Sequence, residues 1–87
     1  LKKKSWYLMA NVPTGYTVTK CDEDFNHVET YYVQYERGKF YCSCPNIHAP
    51  ECRHIKMVPI FNKHRAVGKG KFYCYDTEEW RMVKEFE

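Results

Sequence analysis

The chain has 87 residues and a mass of 10.5 kDa, enough for one small fold, since single cores usually run to about 100 to 150 residues. Hydrophobic residues make up 44% and aromatics 17%, against 29% charged, a composition that excludes a disordered segment. Fourteen Lys and Arg against eleven Asp and Glu leave a formal +3, too little to establish a nucleic-acid partner from net charge, and no run approaches the roughly 18 apolar residues of a membrane span. Neither a membrane segment nor a secretory leader is expected: Lys2 to Lys4 precede only the short apolar run Trp6 to Ala10, without a cleavage-site pattern. The chain opens at Leu1, as a trimmed chain or an excerpt of a longer one would.

Trp6 to Ala10 and Tyr16 to Cys21 read as two strands separated by a turn at Pro13-Thr14-Gly15. Thr30 to Glu36, T-Y-Y-V-Q-Y-E, and Lys39 to Cys44, K-F-Y-C-S-C, flank Arg37-Gly38 and read as a hairpin. With Arg37 and Gly38 as a two-residue loop, Tyr35 opposes Phe40 and Val33 opposes Cys42, which puts Tyr31, Val33, Tyr35, Phe40, Cys42 and Cys44 on one face. A short helix should begin near Cys52, entered through Pro50 and Glu51 and stopped by Pro59 just after Met57 and Val58, with Ile55 and Val58 packed on the hairpin and Arg53 and Lys56 outward. Gly68 to Gly70 read as a flexible joint and Lys71 to Tyr75 as a fifth strand. Asp76 or Thr77 would cap a final helix carrying Trp80, Val83 and Phe86 on one side. The fold class is therefore α+β, one domain over 1–87: an antiparallel sheet of about 3–5 strands, a β-β-α core of hairpin plus short helix and a C-terminal helix.

Five cysteines, at 21, 42, 44, 52 and 74, make an odd set for disulfides, and their spacing decides their use. Cys42 and Cys44 are followed by Cys52 and His54 in a C-x-C-x7-C-x-H pattern, two paired ligand sets. A bond between Cys42 and Cys44 would close a very tight ring, whereas three thiolates and an imidazole complete tetrahedral zinc. Soft thiolates favour Zn2+ over magnesium or calcium; iron and copper(I) are the remaining acceptors. Residues two apart point to nearly opposite sides of a helix, so Cys52 and His54 must straddle a helix start.

Cys42-Ser43-Cys44-Pro45 and Cys52-Arg53-His54-Ile55 resemble the two halves of a SWIM zinc finger, a family built as C-x-C, a variable spacer and C-x-H on a β-β-α scaffold. The resemblance covers about Tyr16 to Ile60, roughly half of the chain. It implies a zinc-binding module with Cys42, Cys44, Cys52 and His54 as ligands, of a kind found within larger proteins and proposed to bind DNA or proteins.

Between Cys52 and Tyr75 there is no acidic residue, while Arg53, Lys56, Lys63, Arg65, Lys69 and Lys71 are all basic. These six are the candidate nucleic-acid contacts, with DNA the favoured ligand, affinity carried by phosphates and little sequence preference. The alternative partner is another protein, docked on the aromatic hairpin and the Trp80 segment. No small-molecule substrate and no enzymatic activity are expected, because a closed Cys3His shell leaves no open metal position and the H-x-E, glycine-loop and G-x-S-x-G motifs are missing. Cys21 and Cys74 read as buried thiols rather than ligands of a second metal with His27, His48 or His64. Tyr32 and Tyr41 read as cross-strand packing before a base-stacking platform. Exposed thiolates also point to a reducing compartment inside the cell, cytoplasm or nucleus.

Overall fold

A computed structural model describes residues 3–44 and 52–82. Strands β1 (Trp6–Val12), β2 (Gly15–Cys21), β3 (His27–Glu36) and β4 (Lys39–Cys42) form an antiparallel meander; helix α1 (Arg53–Lys63) follows, then β5 (Lys71–Cys74) and β6 (Glu79–Met82). The sheet order is β4-β3-β2-β1-β5-β6, so α1 crosses one face and returns the chain to the far side of β1. There Tyr7 pairs with Tyr73.

Alternation along the strands separates two faces. Tyr7, Met9, Val18, Val33 and Tyr73 turn towards the Met57, Val58 and Phe61 side of α1 and form the main core with Ala66. Trp6, Cys21, Phe72 and Cys74 make a smaller cluster on the opposite face. That cluster is roofed by Phe25, whose ring lies 5.2 Å from Trp6 and 4.9 Å from Phe72. Asp22 shapes the loop that delivers it: its Oδ1 accepts the backbone N–H groups of Asp24 and Asn26, both at 2.9 Å, an Asx turn that lets Phe25 adopt φ 67°.

The β3–β4 hairpin has the register read from the sequence, with Val33 opposite Cys42 and Tyr35 opposite Phe40. Arg37 at φ 51° and Gly38 at φ 79° are both left-handed, as a two-residue turn matching strand twist requires. Ser43 prolongs the pairing beyond β4. Its N–H donates to the Tyr32 carbonyl and its hydroxyl accepts the Tyr32 N–H, each at 2.9 Å.

Four expectations are corrected. Six strands form rather than 3–5, and the expected C-terminal helix is replaced over its first turn by β6. Glu78, at φ 56°, closes a turn after Cys74, and Trp80 then pairs with Tyr73, packing on it and on Phe61. Strand pairing half-buries Trp80 and covers the β5 edge at once; Val83 and Phe86 lie outside the described residues. Pro59 does not stop α1, which continues to Lys63. The ring forfeits the bond its N–H would have made to Ile55, but Phe61, fully buried, holds the following turn on the sheet. Gly68 is no free joint either, because its N–H donates to the Met9 carbonyl at 2.7 Å and ties the loop to β1.

Gly15 sits where two strands approach closely: a Cβ built there would stand 2.0 Å from the Val33 carbonyl oxygen. Gly15→Ala should therefore lower the stability of the sheet by at least about 2 kcal/mol, read as a fall in the denaturant midpoint at constant slope. An unchanged midpoint would show that β2 and β3 are not registered as described.

Candidate metal centre

Two local rules bring four donors together. Cys42 ends β4 and Cys44 follows two residues on, so the pleat locked by Ser43 turns both to the helix side. Cys52, extended at φ −84° and ψ 168°, is the N-cap of α1, and His54 is the second residue of its first turn. The three sulfurs and one imidazole nitrogen all lie within 4.8 Å of one another, with His54 Nδ1 3.5 Å from both the Cys42 and the Cys52 sulfur. For bond lengths of about 2.3 Å to sulfur and 2.0 Å to nitrogen, a tetrahedral shell requires sulfur–nitrogen edges of about 3.5 Å. The Cys42 and Cys52 edges fit.

Cys44, Cys52 and His54 are buried, Cys42 partly so, and no disulfide joins any of them. Burial pushes the Cys42 thiol up to about 12, aided by its sulfur neighbours. Burial acts in the same sense on Cys52, yet backbone N–H groups of Ile55 and His54 at the helix start, with the Cys42 and Cys44 thiols, hold it below its ordinary value. Burial lowers His54 to about 4, with Arg53 and Lys20 adding repulsion, so at neutral pH the imidazole is uncharged and one of its ring nitrogens offers a lone pair.

The surroundings add Tyr7, Lys20 and Glu29, which the sequence did not point out, to Tyr31, which the hairpin register already puts on the cysteine face. Tyr31 stacks on the His54 ring at 4.2 Å and 29°, while Tyr7 meets it edge-on at 5.7 Å. The Tyr31 hydroxyl donates to Glu29 Oε2 at 2.9 Å. Lys20 and Arg53 stand at the mouth of a cleft of about 330 Å³ beside Cys44 and Cys52. Tyr7, Lys20 and Glu29 occupy one ladder row across β1, β2 and β3, and only that register could have revealed the grouping.

The six candidate cations do not form one patch. Lys56 and Lys63 lie on the outer side of α1, Arg65 and Lys69 are exposed in the turns after it, and Lys71 is half-buried on β5. Arg53 is engaged: its guanidinium lies 3.7 Å from Asp76 and 5.4 Å over the Tyr75 ring.

Among the described residues no second metal-binding group forms. Trp6 pairs with Cys21 and, one step from the Tyr7–Tyr73 pair, lies beside Cys74. The two cysteines are thus two strand spacings apart, about 9 to 10 Å, and cannot meet as sheet neighbours. His27 is exposed and bonded to Thr30 at 2.9 Å, His64 lies against Trp80 at 4.9 Å, and His48 falls outside the described residues. No helix among the described residues is long and apolar enough to cross a membrane. Comparison with protein-family models, with curated proteins and with solved structures gives no match for this chain.

An ion entering this site has to displace the proton of Cys42, so protons compete with it and its apparent affinity must fall as pH falls. Titration with cobalt(II) or zinc against a chelator of known affinity should show at least about tenfold weaker binding for each unit of pH lost between about 8 and 6. A pH-independent affinity would mean that the thiols do not take part.

Proposed function

We propose that the chain is a zinc-binding module of the SWIM type, with Cys42, Cys44, Cys52 and His54 as ligands, that binds nucleic acid, DNA by preference, through the basic outer side of α1. The convergence of three sulfurs and one imidazole nitrogen within 4.8 Å carries this reading. Thiolates and a neutral imidazole match zinc, which would join the hairpin end to the helix start and, its shell closed, serve structure rather than catalysis. Such a site carries about −1, which Lys20 and Arg53 offset locally. The cations left for phosphates are then Lys56, Lys63, Arg65 and Lys69, with Lys71 at the far end and Arg53 held by Asp76. None of them belongs to a base-reading arrangement, so affinity should come from counterion release. A module relying on three thiolates suits a reducing compartment, cytoplasm or nucleus.

A second reading, docking on another protein, draws support from Tyr32 and Tyr41, 52% and 53% exposed on the face away from the helix.

Elemental analysis of the purified chain should find one zinc per molecule, and Cys44→Ala should abolish it. Structural zinc contributes on the order of 10 kcal/mol in small modules, so the variant should lose hydrogen-exchange protection around β4 and α1. Metal-free protein with native protection there would sink the zinc assignment. For the partner, four phosphate contacts predict a slope of roughly −3 to −4 in log affinity against log salt on duplex DNA. The pair Lys56→Glu and Lys63→Glu should reduce that slope by about two. Binding indifferent to salt would leave the protein-docking reading.

A further inference from the structure

Resting on the nucleic-acid reading, we infer that the cleft between β5, β6 and the end of α1 is a base-stacking subsite, which makes single-stranded nucleic acid the class of ligand this chain prefers. The cleft, of about 250 Å³, is lined by His64, Lys71, Trp80, Arg81 and Met82, with no acid among the described residues of its wall. Its size lies below the roughly 300 to 1,000 Å³ of drug-sized pockets and admits one flat ring system. Trp80 is only half-buried, and its ring is held by Tyr73 at 4.6 Å and Phe61 at 5.1 Å, with the His64 ring beside it in the cleft wall at 4.9 Å. An aromatic already fixed in place loses little entropy when a base stacks on it.

The charges suit a strand rather than a free ring. Lys71 flanks Trp80 on the helix side of the sheet, and Arg81 stands at the β6 edge with its guanidinium 6.0 Å over Trp6 on the other face. Of the described acids near Trp80, Glu78 lies in the adjoining cleft together with Lys63, and Glu79 is paired with Lys4 at 2.7 Å. That adjoining cleft shares His64 and Trp80 with this one, so Lys63 at the end of α1 and Lys71 on β5 line neighbouring clefts on either side of Trp80. Bases inside a duplex cannot leave their stack to enter such a cleft, whereas those of a single strand can, and phosphate contacts alone make no such distinction.

The test compares labelled oligothymidylate of about 12 nucleotides with a duplex of the same length, at one salt concentration, by fluorescence anisotropy on the full chain. Trp80→Leu, which keeps an apolar side chain on Phe61 and Tyr73, should weaken single-strand binding roughly 5- to 150-fold, the range of one base–aromatic stack, and leave duplex binding within about twofold. Trp80→Phe should restore most of the loss, and thermal unfolding checks that both variants fold. Should Trp80→Leu fail to fold, Lys71→Gln decides, with a larger loss expected for the single strand than for the duplex. Equal losses on both ligands, or none on either, overturn the subsite and leave the α1 reading standing. No binding of either ligand by the wild-type chain overturns both.

Discussion

The arrangement depends on one meeting point, where the end of a β-hairpin and the start of a helix present three sulfurs and an imidazole nitrogen within a sphere that one ion could fill. Three of these side chains are buried, and burial raises the Cys42 thiol and leaves His54 neutral. Four soft donors facing one another without a shared ion would have unfilled bonding capacity in a site largely removed from water, an expensive condition for a chain of this size. Tyr31 and Tyr7 pack on the imidazole from two sides, so its orientation is set by the sheet as well as by its place in α1.

The same corner settles how the rest of the chain is laid out. Because α1 starts at the donor cluster, its Met57, Val58 and Phe61 side falls across β1, β2 and β3, and its Lys56 and Lys63 side is left to solvent. The turns after α1, tied to β1 through Gly68 and Met9, then place β5 next to β1. Cations therefore accumulate away from the donor cluster, along the outer side of the helix and its exit. In the proposed function metal and cations have separate duties, one holding the corner and the other meeting phosphate.

The opposite face is finished differently at its two ends. Over β1 and β5, Phe25 covers Trp6 and Phe72 and leaves Cys21 and Cys74 buried on either side of the Trp6 strand. Over β3 and β4 no element among those described covers Tyr32 and Tyr41, which remain about half exposed. Aromatic content thus serves three purposes in one small sheet: core at Phe61 and Tyr73, lining for the donor site at Tyr7 and Tyr31, and open surface at Tyr32 and Tyr41.

Features governed by neighbours in the chain could be read from the sequence alone. Arg37-Gly38 set the hairpin register because a two-residue turn admits one pairing, and the spacing of Cys52 and His54 placed a helix start because residues two apart diverge on a helix. Features set by contacts between distant segments could not. Pro59 ends a helix by local rules, yet burial of Phe61 carries α1 past it. The segment from Thr77 has a helical apolar spacing, yet Trp80 gains more by pairing with Tyr73 and resting on Phe61. Tyr7 and Lys20 join the donor site only through the register of three strands. Turn chemistry and ligand spacing act over a few bonds and leave their mark in the order of residues, whereas the choice among long-range pairings depends on the surface buried when the whole chain closes.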